Sequence, residues 1–232
     1  MNKVLLIIAG LLTIGLLLTS CSKDNIFKEP SQVGVCFALN SGGVGGSDRL
    51  ALSNGYVILG SMELEGERKR GASFHFKRTF PTGLRLDFNA TNRVEDLLFD
   101  LPQGEYEKLT VRFSTLAQTG NPCLLVGGNY AYRQAASGSS WVDISWESSK
   151  SFECIVTTTQ GTPIFTLDEN SKMITLSIQP KLWFQNISEI KLEQAYCTTQ
   201  PRGQVMLINQ NNNNNMFQTI DVELGTTLKA TL

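Results

Sequence analysis

The sequence predicts an all-β protein built as an antiparallel β-sandwich, and three observations predict it. Apolar residues recur at every second position in run after run; turns rich in glycine and proline separate the runs; no apolar stretch at helical spacing stands between them. A length of 232 residues suits one β-rich domain with a sizeable core. The 20 Lys+Arg against 21 Asp+Glu leave a net charge of −1, so there is no basic footprint and nucleic acid is not the expected partner. Charged residues at 18% and aromatics at 9% are wrong for a disordered chain.

Only the first segment departs from this pattern. Lys3 supplies a positive start, and residues 4–18 form an almost unbroken apolar run of 15 residues. As a helix that run would be about 22 Å long, short of the ~30 Å hydrocarbon core, so it reads as a signal-peptide core rather than a membrane span. Leu18-Thr19-Ser20-Cys21 follows and resembles the lipobox of bacterial lipoproteins. The resemblance implies cleavage before Cys21 and lipid attached to its sulfur and to the new amino group, an anchor of several acyl chains. The expected organisation is therefore a signal peptide at 1–20, a polar flexible tether at 21–32 that contains Pro30, and a β-sandwich at 33–232. Two smaller subdomains side by side are the alternative for that last region. The expected place is the cell envelope, lipid-anchored in the outer membrane and facing the periplasm or the surface.

Within the domain the strands follow in order. Val33, Val35, Phe37 and Leu39 share one face, as do Phe74 and Phe76, then Leu84, Leu86 and Phe88. Leu109, Val111 and Phe113 alternate with Thr110, Arg112 and Ser114; Val142, Ile144 and Trp146 alternate with Asp143, Ser145 and Glu147; Ile174, Leu176 and Ile178 come last. Turns are expected at 41–47, 66–71, Pro81-Thr82-Gly83, Pro102-Gln103-Gly104, 137–140 and 168–171, with short helical pieces near 93–97 and 185–190. Asn209 and the run 211–215 read as a polar connection between a strand at 205–208 and a second strand carrying Ile220, Val222 and Leu224.

Leu101-Pro102-Gln103-Gly104-Glu105-Tyr106 and the strand after it resemble the turn-and-strand of prealbumin-like (transthyretin-like) β-sandwich domains; an immunoglobulin-like sandwich is the alternative form. Trp183-Phe184, Ile187-Ser188, Leu192-Glu193-Gln194-Ala195 and Met216-Phe217 resemble segments of Bacteroidetes lipoproteins. Together these resemblances imply a lipid-anchored sandwich at the envelope with binding, adhesive or assembly roles, and they bring no catalytic residues.

Few residues of the sequence are arranged for chemistry. His75 is the sole histidine, on the polar side of a strand beside Lys77, and no G-x-S-x-G elbow accompanies it, so a solvated strand residue is expected. Gly43-Val44-Gly45-Gly46-Ser47-Asp48 ends in Asp where a dinucleotide fingerprint needs Gly. Asp143 and Glu147 share a strand face at about 13 Å, beyond the roughly 5–9.5 Å of a glycosidase pair. No metal ligand set, cofactor or catalytic residue is expected. Cys36, Cys123, Cys154 and Cys197 fit no metal motif; in an exported chain they are candidates for one or two disulfides, with buried free thiols as the other reading. Trp141 falls on the polar face with Asp143, and Tyr130 and Tyr132 share a face of the preceding strand. An exposed Trp with tyrosines and acids has the composition of a sugar-stacking platform, so these three are the candidate ligand-binding residues. The leading expectation is a non-enzymatic structural, adhesive or interaction protein with envelope proteins as partners. A carbohydrate-binding surface lipoprotein is the alternative.

Overall fold

The computed structural model describes residues 29–40, 49–90, 94–133 and 138–232. The predicted signal peptide, Cys21 and the glycine-rich loop at 43–48 lie outside the described residues.

The described chain is mostly β. Its strands are β1 (Ser31–Leu39), β2 (Leu50–Arg68), β3 (Phe74–Asp87), β4 (Leu98–Leu101), β5 (Gly104–Thr115), β6 (Leu124–Ala131), β7 (Ser139–Trp146), β8 (Ser151–Thr157), β9 (Phe165–Leu167), β10 (Lys172–Ile178), β11 (Cys197–Gln200), β12 (Gly203–Ile208) and β13 (Lys229–Thr231). Three helices, α1 (Pro180–Trp183), α2 (Glu189–Glu193) and α3 (Asn214–Thr226), and a 3-10 turn at Glu95–Leu97 complete it. The strands form one sheet in the order β11-β12-β7-β6-β2-β5-β8-β13-β10-β1-β4, with β3 beside β2 and β9 beside β5.

Strand β2 organises the sheet. Its residues Ser61 to Gly66 pair with β3 on one edge and β5 on the other. Its first half, Leu50 to Val57, pairs with β6. Tyr56 and Val57 also pair with β3, so β6 and β5 follow one another along the same edge of β2. The change of partner is bridged by hydrogen bonds from Ile58 N–H to the Cys123 carbonyl and from Leu116 N–H to the Ile58 carbonyl. Beyond β5 the sheet curls back: Phe37 on β1 meets Phe113 on β5 edge-on at 5.2 Å between ring centres. The inner face of the other half is closed by helices, with Trp146 of β7 against Trp183 of α1 and Phe217 of α3, each at 5.7 Å.

Alternation explains the strands. Val33, Val35, Phe37 and Leu39 are buried, as are Leu109, Val111, Phe113 and Ile174, Leu176, Ile178, all in one core. Where β6 crosses β2 the backbones are too close for any side chain: a Cβ on Gly128 would stand 1.9 Å from the Ala51 carbonyl oxygen.

Four expectations are corrected. The sheet is mixed rather than purely antiparallel, because β1 and β10, β7 and β12, and β8 and β13 run parallel. Pro81-Thr82-Gly83 does not end a strand; it bulges out of β3, where the pairing jumps from Leu59↔Leu84 to Ser61↔Thr79. Ser31 and Gln32, expected in the tether, already pair with Leu101 and Asp100. The region carrying Ile220, Val222 and Leu224 is helix α3, not a strand: Met216, Ile220 and Leu224 are buried while Val222 is 74% exposed. The asparagine run does make a turn, with Asn209 Oδ1 accepting from the backbone N–H of Asn211 and Asn212. Asn213, at φ 49°, then starts the helix.

Candidate functional site

The predicted platform does not assemble. In the β6–β7 ladder Trp141 stands opposite Asn129, whereas Tyr130 stands opposite Ser140. Partners in register share a face and neighbours alternate, so Tyr130 and Tyr132 point to the side away from Trp141. Tyr130 is fully buried, and its hydroxyl donates to Glu193 on α2 at 2.9 Å. The same carboxylate oxygen accepts from the backbone N–H of Arg133 at 2.8 Å. Burial, and then this carboxylate, push the Tyr130 phenol well above its ordinary range. Tyr132 packs edge-on against Tyr130, 5.2 Å between ring centres, and its hydroxyl lies 3.1 Å from the Cys197 sulfur. Both tyrosines therefore hold α2 and β11 to the sheet instead of facing a ligand.

Trp141 keeps its predicted side. Of the three tryptophans it alone is exposed, at 38%, while Trp146 and Trp183 are buried. Its indole N–H donates to the Arg202 carbonyl at 3.0 Å, and the Arg202 guanidinium lies 5.5 Å from the ring centre while pairing with Asp143. Val205, the β12 residue in register with Trp141, is fully buried. Two residues from Asn129 on β6, the missing side chain of Gly127 makes room for Asn54: a Cβ there would stand 2.5 Å from Asn54 Oδ1 and 3.5 Å from Asp143 Oδ1. Further across the same face Arg85 stacks on the Tyr56 ring at 3.7 Å and bonds Asp87 at 3.2 Å. Burial raises the Tyr56 phenol, and the neighbouring Arg85 works against that rise. This strip offers an aromatic face, an ion pair, and the amides of Asn54 and Asn129. It suits recognition by stacking and hydrogen bonding. Asn54, Asn129, Tyr56 and Arg202 escaped the sequence reading because cross-strand register, which no single strand contains, brings them beside Trp141.

Another part of the outer face, across β3, β2, β5 and β8, is a lattice of charges. Glu63 accepts from Lys77 at 2.7 Å and from His75 at 3.2 Å. Arg112 holds Glu65 at 2.5 Å and Glu153 at 2.7 Å. Hydrogen bonds from Lys77 and His75 hold the Glu63 carboxyl below its usual range, and Arg112 does the same for Glu65. His75 is thus a solvated strand residue with its side chain half exposed, as the sequence suggests.

Among the described residues Cys36, Cys123, Cys154 and Cys197 are free thiols rather than disulfide-bonded, the second of the two readings the sequence leaves open, and each sulfur has its own surroundings. Cys36 lies 3.5 Å from Thr175 Oγ1. Cys123 donates to the Ser148 carbonyl at 3.2 Å and accepts from the Thr115 hydroxyl at 3.3 Å. Cys154 is buried, which pushes its thiol up to about 11. Cys197 neighbours Tyr132. Among the described residues no three His, Cys, Asp or Glu gather as a metal site, and no helix is long and apolar enough to cross a membrane.

In comparisons with known proteins, the chain matches no family, no curated protein and no solved structure.

Proposed function

We propose that this chain is a lipid-anchored interaction protein of the bacterial cell envelope, held in the outer membrane through Cys21 and working as a binding or assembly component rather than an enzyme. One observation carries the reading: Leu18-Thr19-Ser20-Cys21 closes an apolar run too short to span a bilayer, and the first strand begins ten residues after the cysteine. The prealbumin-like likeness finds support in the Pro102-Gln103-Gly104 turn. There the fully buried Tyr106 donates its hydroxyl to the Pro102 carbonyl at 2.6 Å, tying strand to turn. The contact of Phe37 with Phe113 supports a two-layered, sandwich-like arrangement. Cys21→Ala is expected to move the protein from the membrane to the soluble fraction, with loss of the acyl mass at the mature N-terminus. A variant that stays with the membrane overturns the reading.

Trp141 favours a second reading, in which the partner is a glycan. Its ring is exposed beside Asp143, Arg202 and Asn129, the mixture of apolar face and polar rim that sugars take. Because Trp146 and Trp183 are buried, a change in tryptophan emission on adding envelope polysaccharide would report on Trp141. The expected result is a saturable change that Trp141→Ala abolishes; no change with any polysaccharide tried removes this reading.

A further inference from the structure

We propose that the end of the molecule bearing the tip of the β2–β3 hairpin, residues 68–73, rests against anionic lipid headgroups, so that the Trp141 face is held away from the membrane. The inference rests on the Cys21 anchor proposed above and adds to it which surface meets the lipid.

The geometry at that end is specific. The first described residue, Glu29, offers its carbonyl to the Gln103 side-chain amide at 2.8 Å. The Gln103 carbonyl in turn accepts from the Arg68 guanidinium at 3.3 Å. One residue therefore links the point where the chain enters the domain to the hairpin tip. Ser31 donates to the Asn170 carbonyl at 3.1 Å, which brings the 168–171 turn to the same end. Eight residue steps separate Cys21 from Glu29, and even fully extended they reach only about 28 Å. Strand β2, with 19 residues, runs roughly 60 Å along its length. The Trp141 face belongs to its far end, since Trp141 pairs with Asn129 and Asn129 with Ala51. The anchor thus keeps the tip near the lipid and leaves the aromatic face the length of a strand beyond it.

The chemistry of the tip fits the place. Arg68, Lys69 and Arg70 are consecutive. Arg68 is committed to the backbone, donating to the Ala72 carbonyl at 3.0 Å, and Lys69 pairs with Glu105 at 3.0 Å. Arg70 is exposed, and among the described residues its side chain has no hydrogen bond or ion pair. A guanidinium left open at an exposed turn is suited to bidentate hydrogen bonds with a lipid phosphate.

Amine footprinting tests the orientation on the intact lipoprotein. The purified chain is added to preformed vesicles of phosphatidylethanolamine and phosphatidylglycerol, and acylation by a membrane-impermeant amine reagent is followed by mass spectrometry. Lys69 at the tip and Lys191, exposed on α2 at the opposite end, are compared in vesicles and in detergent. Lys69 is expected to react at least five-fold more slowly on vesicles, with Lys191 unchanged. Equal reactivity of Lys69 in both states, or equal slowing of both lysines as the molecule lies flat, overturns the orientation. The intact mass of the same sample shows whether Cys21 carries lipid, so a failed orientation on a lipidated chain is distinct from a failed anchor, which removes both claims.

Discussion

Where β2 pairs with β5, the outward side chains are charged and bonded to one another across strands, through Lys77–Glu63, Arg112–Glu65 and Arg112–Glu153. Where β2 pairs with β6, the outward residues of the strands beyond it include an exposed indole, an ion pair turned toward that indole, and an asparagine packed over Gly127. The first surface uses its polar capacity internally and has little left for a partner. The second leaves an aromatic face open with directional groups at its rim. Position in the sheet alone does not make a binding surface; what matters is whether neighbouring strands satisfy one another.

Substitutions along the two regions sharpen this contrast, and the largest effect is expected beneath the aromatic strip. Trp146, one face over from Trp141 on β7, packs on Trp183 and Phe217 and donates to Asp221 at 2.7 Å. Trp146→Ala is expected to cost about 3–5 kcal/mol by urea denaturation, because the cavity cannot refill between strand and helices. A loss below about 1 kcal/mol would show that the helices contribute little to this half.

A middle-sized effect belongs to Tyr106 at the other end. Tyr106→Phe leaves the Pro102 carbonyl without its donor and is expected to cost about 1–2 kcal/mol. Burial holds the Tyr106 phenol at about 12, above the value of about 10 that it has when unfolded. A raised folded value favours the native state at lower pH, and that stabilisation is lost as pH climbs between the two values. Stability measured from pH ~9 to ~12 should therefore fall less steeply in the Phe variant than in the parent.

The smallest effect falls on the charge lattice. Arg112→Ala at neutral pH is expected to shift the unfolding midpoint barely beyond measurement error, since exposed ion pairs contribute little. Its mark is in acid. Glu63 and Glu65 are held below their ordinary range, so what they contribute is present above pH ~4.3 and lost as pH falls through the lowered values. The Arg112 variant should show a flatter acid limb, and an unchanged limb would mean that Glu65 owes nothing to Arg112.

Much of this was legible in the sequence, for a physical reason. A strand with one buried side writes its burial into alternate residues, and Leu109, Val111, Phe113 or Ile174, Leu176, Ile178 could hardly be read otherwise. The α3 segment misled because Met216, Ile220 and Leu224 are four apart, a spacing that keeps to one face in a helix and in a strand alike. Only Val222 separates the two readings, and it is exposed. The Trp141 site was half legible. Its orientation followed from Trp141 and Trp146 lying on opposite sides of β7, but its neighbours come from registers set by bulges and by parallel partners distant in sequence. Glycine supplied the one overlooked local signal: Gly127-Gly128 in mid-strand announces a close approach, of the β2 backbone at Gly128 and of the Asn54 side chain at Gly127.

The shared edge of β2 also has a thermodynamic consequence. Both halves of the molecule hang on one continuous ribbon whose pairing passes from β6 to β5 around Ile58. Neither half retains a complete set of strand partners once that ribbon leaves, so heating should melt both together in a single cooperative transition, at one temperature whichever tryptophan or tyrosine reports it.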